Sequence, residues 1–185
     1  MAETATMTRE FGWQAADFDL EGIDGRRHRL ADLKGAKGTL VMFVCNHCPY
    51  VKAVIDDIVK DCAALQAEGV SAVAVMSNDT KAYPDDSFDN MKKFAARHGF
   101  GFPYVIDTTQ DVARAYRAVC TPDFFGFDKD LKLRYRGRIF EMAAGLKAKP
   151  GARRELLEGM RQIASTGQGP KSQTPSMGCS IKWRE

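Results

Sequence analysis

Residues 39–55 read TLVMFVCNHCPYVKAVI. An apolar run, 39–44, is long enough for a strand buried on both faces. Two cysteines, Cys45 and Cys48, follow it directly, then Pro49. From there the period changes: Val51, Val54, Ile55, Ile58, Val59, Cys62 and Leu65 recur three and four apart and stop at Gly69. That spacing predicts an amphipathic helix with proline in its first turn and glycine just past its end. The Cys-x-x-Cys therefore sits at a strand-to-helix junction.

Outward from this junction the same alternation continues. VSAVAVMS (70–77) reads as a second buried strand. A helical stripe of Phe88, Met91, Phe94 and Ala95 ends at Gly99, and 102–107 and 109–119 read as a strand and a short helix. Residues 123–137 predict a hairpin turning at Asp128–Asp130, and Leu156, Leu157, Met160 and Ile163 share a face of a last helix. Upstream, 17–30 predict a hairpin around the turn GIDG. Strands alternating with helices, then a hairpin and a helix, make a mixed α/β sheet flanked by helices, with an N-terminal β-hairpin. The expected organisation is one domain over 1–165 and a C-terminal arm over 166–185, whose Gly, Ser, Gln and Pro content reads as flexible.

Charge narrows the function classes. Twenty-seven Lys and Arg against 24 Asp and Glu leave +3, too balanced to imply nucleic acid. The basic clusters RRHR (26–29) and RYRGR (134–138) read as solvated strand faces. The start, MAETATMTREFGWQ, has no apolar signal core, and no run approaches the roughly 18 apolar residues of a membrane span. The expectation is a cytoplasmic protein with no membrane or nucleic-acid partner. In that compartment thiols stay reduced, so five cysteines suggest chemistry rather than a disulfide framework.

Four readings of the Cys-x-x-Cys compete: haem attachment, a metal clip, a structural staple and a redox centre. Haem attachment needs histidine after the second cysteine, where Pro49 stands. Structural zinc needs a second Cys or His pair, and Cys62, Cys120 and Cys179 are scattered, although a site from Cys45, Cys48, Cys120 and Cys179 remains an alternative. The redox reading has a physical cause. Free N–H groups at a helix N-terminus stabilise a thiolate, expected here on Cys45, and a thiol one turn away can resolve a mixed disulfide. Asn46 and His47, between the cysteines, are expected to tune the couple, placing its potential roughly between −270 and −180 mV. His28 and His98 read as surface residues, Cys62 as a small buried hydrophobe, and Trp13 and Trp183 as packing residues.

FVCNHCPYV, VCTPDFF and PSMGCSIKW together resemble thioredoxin-like proteins of the AhpC/TSA–redoxin superfamily over nearly the whole chain. The resemblance implies a thioredoxin fold with a helix–strand insertion, Cys45 as nucleophile and Cys48 as resolving thiol. It also implies a cis-proline loop at Thr121–Pro122 whose backbone pairs with substrate. The activity implied is thiol–disulfide exchange on a protein or small-molecule disulfide, with an unidentified electron donor and neither cofactor nor metal. Peroxiredoxins carry Pro-x-x-x-Thr-x-x-Cys. With Cys48 at that cysteine, Cys45 stands for threonine and Val41 for proline, so thiol peroxidase or antioxidant activity is the alternative. A non-enzymatic metal- or partner-binding module is another. Finally, Cys120 lies two residues before Pro122, and about 11 residues from Gln168 can span at most about 36–40 Å. With Ile181 and Trp183 as apolar anchors, the arm can reach the site, where Cys179 is expected as an auxiliary thiol paired with Cys120, against an anchored but idle tail.

Overall fold

The structure is a computed structural model that describes residues 3–5 and 10–185. Its strands are β1 (Glu3–Ala5), β2 (Asp19–Gly22), β3 (Arg27–Arg29), β4 (Gly38–Phe43), β5 (Val70–Met76), β6 (Tyr104–Ile106), β7 (Cys120–Thr121), β8 (Asp123–Phe127), β9 (Leu133–Tyr135) and β10 (Met177–Ser180). The helices are α1 (Leu30–Leu33), α2 (Pro49–Ala67), α3 (Phe88–His98), α4 (Asp111–Tyr116) and α5 (Glu155–Thr166). Seven strands form one sheet in the order β3-β2-β6-β5-β4-β8-β9. Its centre, β4–β5–β6, is parallel, and the flanking pairs are antiparallel.

The apolar run of β4 is unbroken because both of its faces are covered. Leu40, Met42 and Val44 pack with Val51, Ile55 and Ile58 of α2 and Met160 of α5. Val41 and Phe43 point the other way, among Val73, Val105, Tyr116 and Phe125. Period-two alternation thus splits one strand between two cores. Ser87 caps α3 by accepting the Asn90 N–H at 3.3 Å, and Gly99 closes it in a left-handed conformation (φ 67°) that a side chain adopts only with strain. Cys62 is buried on α2, as its place in the stripe predicts.

Three expectations change. The C-terminal arm is not a flexible tail: residues 177–180 are β10, the middle strand of a second sheet ordered β1-β10-β7. Each of its pairings is with a segment far away in sequence, which local composition cannot reveal. Second, RYRGR is not a solvated face. Arg136 is buried, grips the Asp123 carboxylate and lies 3.9 Å over the Phe125 ring. Arg134 and Arg138 pair with Asp128 and Glu155, each at 2.8 Å. A guanidinium is buried here because a carboxylate is buried with it. Third, Trp183 is 37% exposed, with the Arg114 guanidinium 4.4 Å from its ring, whereas Trp13 packs edge-on against Tyr116.

Candidate active site

Strand β4 ends at Phe43, and the chain crosses its end through Val44–His47 into α2, whose N-cap residue is Cys48. Cys48, not Cys45, therefore takes the position where a helix offers its unpaired N–H groups. Both cysteines are buried, at 1% (Cys45) and 0% (Cys48) exposure. The loop between β7 and β8 faces them, and its Thr121–Pro122 peptide is cis. Cys45 Sγ lies 3.5 Å from Thr121 Oγ1, and a protonated Cys48 donates to Thr121 O at 3.2 Å. The Asp123 carboxylate, held by Arg136, accepts the Val119 N–H at 3.1 Å and so pins this loop.

Of the two thiols, Cys48 is the one lowered, to about 5. The main cause is a hydrogen bond from the Cys45 thiol, helped by Cys179, Thr121 and the Val51 N–H and opposed by burial. Cys45 is pushed well above the ordinary thiol value because it gives that hydrogen bond, is buried, and lies near the Asp86 carboxylate. The two sulfurs are coupled through that hydrogen bond, and the Val51 N–H in the first turn of α2 adds to the lowering of Cys48.

Asn46 and His47 are held by a residue no motif flagged. Asp86, fully buried in the turn before α3, accepts the Asn46 N–H and the Asn78 side-chain amide, each at 2.8 Å. His47 Nδ1 sits 2.6 Å from Asp86 Oδ2 and its ring stacks on Tyr83. Tyr104 donates to Asn46 Oδ1 at 2.8 Å, and Asn46 Nδ2 to Asp85 O at 3.2 Å. Asn46 thus orients the turn, and His47 joins a Cys45–His47–Asp86 group whose polar atoms lie within 4.8 Å of one another. These three could ligate a soft metal ion. Asp86 is already engaged by two amides and by His47, so it holds the Asn46–His47 turn beside Cys45. A cleft of about 500 Å³, lined by Asn46, His47, Lys52 and Lys93 among others, opens on this side.

The Thr121 backbone, expected as a substrate ledge, is occupied. Strand β10 pairs antiparallel with β7, Cys179 opposite Thr121 and Ser180 opposite Cys120. Ser176 Oγ donates to Pro122 O at 2.9 Å, and Ile181 N–H to Val119 O at 3.1 Å. A Cβ on Gly178 would lie 2.0 Å from Thr121 O, so only glycine lets the strand come this close. Cys179, not Cys120, brings its sulfur to the pair: it hydrogen-bonds Cys48, and its own thiol is pushed up to about 12, chiefly by burial. Cys120 is raised to about 12 by burial and points its sulfur at Pro122 O, 3.6 Å away. Opposed residues share a face and successive ones alternate, so the register that puts Cys179 beside Thr121 puts Cys120 on the other face.

The sequence profile of the AhpC/TSA family matches residues 11–136. The chain belongs to the AhpC/TSA family. Among curated relatives, the thiol-disulfide oxidoreductase ResA of Geobacillus thermodenitrificans (strain NG80-2) is 30% identical over 145 residues, covering 78% of this chain and 75% of ResA. An uncharacterized conserved protein from Geobacillus kaustophilus has a solved structure with TM-score 0.94 and 42% identity, covering 100% of this chain and 97% of that one. The thioredoxin domain of a thiol-disulfide oxidoreductase from Bacteroides vulgatus matches at TM-score 0.59 and 21% identity, covering 70% of this chain and 91% of that domain. The last likeness establishes the thioredoxin fold. In this AhpC/TSA protein the Cys-x-x-Cys, the cis-proline loop and a strand from the C-terminal arm meet at one end of the sheet.

Proposed function

We propose that this protein is a thiol–disulfide oxidoreductase whose working pair is Cys45 and Cys48. One observation carries the reading: two thiols at the start of α2, Cys48 at its N-cap, both within hydrogen-bond reach of Thr121 in the loop that faces them. The attacking group is the thiolate, so the reaction begins at Cys48, the reverse of the order the resemblance implies. Its sulfur attacks one sulfur of a disulfide substrate. A Cys48–substrate bond forms, the substrate disulfide breaks, and one substrate thiolate leaves and takes up a proton. Cys45 then passes its proton toward His47 and Asp86 and attacks Cys48 Sγ. The Cys45–Cys48 bond forms, the second substrate thiol departs, and the protein is oxidised by two electrons. An external dithiol returns the pair to the reduced state.

The substrate is a protein or small-molecule disulfide that enters by the cleft beside Asn46 and His47, because β10 fills the other approach. A reducing compartment such as the cytoplasm suits a dithiol that works from its reduced state. The depressed Cys48 thiol also favours a second electrophile, hydroperoxide, which would give the protein antioxidant activity. Turnover of an aromatic disulfide and of hydrogen peroxide by wild type, Cys48→Ser and Cys45→Ser tests the assignment. Cys48→Ser should lose disulfide turnover altogether, and full turnover in that variant would refute the reading. Peroxide consumption by wild type at a rate no greater than that of free thiol would remove the second electrophile.

A further inference from the structure

Cys48 has two thiol neighbours, and the exchange described above uses only one. The other, Cys179, is 2% exposed and sits on β10, opposite Thr121 in register. Its position is built rather than incidental. Gly178 lets β10 approach the loop, Ser176 Oγ holds Pro122 O, and beyond it Lys182 N–H donates to Asn78 Oδ1 at 2.9 Å. Gln110 Nε2 donates to Lys182 O at 2.9 Å, so the strand is fixed on both sides of the cysteine. The Cys179 sulfur meets Cys48 in a hydrogen bond, and the Tyr50 N–H of α2 is directed at it. Cys48 thus lies between Cys45 and Cys179.

We propose that Cys179 is a third redox thiol, which exchanges with the Cys45–Cys48 disulfide at Cys48 and stores it as a Cys48–Cys179 bond. This inference rests on the Cys45–Cys48 couple proposed above. In the exchange the Cys179 thiolate attacks Cys48 Sγ. The Cys48–Cys179 bond forms, the Cys45–Cys48 bond breaks, and Cys45 leaves as a thiolate that takes up the proton Cys179 released. No net oxidation occurs. Oxidation of the Cys48 thiolate also removes the charge beside which Cys179 must ionise, so the step is favoured once the pair is oxidised. Its product fastens β10 covalently to α2 and leaves Cys45 as a thiol.

Tryptic cleavage separates the possibilities, because Cys45 and Cys48 share peptide 38–52 while Cys179 falls in 172–182 and Cys120 in 118–129. The full-length protein is oxidised with diamide, quenched in acid, alkylated and mapped without reduction. Wild type should give both an internally closed 38–52 peptide and a 38–52/172–182 crosslink. In Cys45→Ser the crosslink should become the main product, with Cys62 and Cys120 alkylated. Fragment ions of the wild-type crosslink locate its bond at Cys48 without recourse to the variant's fold. The proposal fails if Cys179 stays fully alkylated in both proteins while the wild-type 38–52 peptide closes, or if Cys179 is found joined to 118–129. If no disulfide closes in wild type, the couple and this inference fall together.

Discussion

Replacing Cys45 by alanine should raise the Cys48 thiol, lowered to about 5 in the wild type, by a definite amount. The variant removes the main cause of that lowering, a thiol donating to a thiolate. A hydrogen bond to a charged group contributes roughly 1.5–3 kcal/mol net, equivalent to about 1–2 pKa units. The variant should therefore titrate at about 6–7, still depressed because the helix N-terminus and Cys179 remain. Ultraviolet thiolate absorbance of the reduced protein against pH reads this directly. An unchanged midpoint in the variant would refute the hydrogen bond between the two sulfurs, and a wild type with no midpoint below 7 would refute the thiolate itself. A stability consequence has a fixed sign. The folded value lies below the ordinary 9.0, so the stabilisation is complete above about pH 9, shrinks as pH falls, and is gone below about 5. At pH 7 it amounts to roughly 3 kcal/mol. The difference in unfolding free energy between reduced wild type and Cys48→Ser should therefore narrow between pH 7 and pH 5. The same stabilisation favours the reduced protein. Compared with a thioredoxin thiol near 7 at about −270 mV, about 2 kcal/mol at pH 7 corresponds to a potential of about −220 mV. A redox titration outside roughly −270 to −180 mV would contradict it.

Asp86→Asn removes the carboxylate behind His47 while keeping an oxygen that can accept the Asn46 N–H. The second step should slow by roughly 10²-fold, as for loss of a general base, so that rapid-quench mass spectrometry finds the Cys48–substrate species accumulating. Turnover within about threefold of wild type would remove this proton route. Gly178→Ala places a methyl group 2.0 Å from Thr121 O and should cost roughly 1–3 kcal/mol or lift β10 from the loop. A lower Tm, or faster tryptic release of the C-terminal segment, registers either result, and an unchanged Tm with an unchanged digestion pattern would contradict the close approach.

Much of the architecture was legible because its causes are local. The unbroken run of β4, the three- and four-residue stripe of α2 with Pro49 and Gly69 at its ends, and the stop of α3 at Gly99 are written in neighbouring residues. So is the meeting of Cys45 and Cys48 at a strand-to-helix junction. The start of α2 was legible too, with Pro49 in its first turn and Cys48 just before it; which thiol is lowered was not, because that depends on hydrogen bonds from Cys45, Cys179, Thr121 and the helix backbone. Local reading missed whatever depends on two distant segments meeting. Asp86 has no motif; burial beside Asn46, Asn78 and His47 is what gives it a role. Arg136 reads as solvated in the sequence and is buried because Asp123 is buried with it. The arm's composition predicts flexibility, yet β7 on one side and β1 on the other turn it into a strand. Sequence therefore determined which residues bear the chemistry and the elements that carry them. The tertiary structure alone decided that Cys179 rather than Cys120 stands beside Cys48, because strand pairing between segments more than 50 residues apart sets which face each thiol takes.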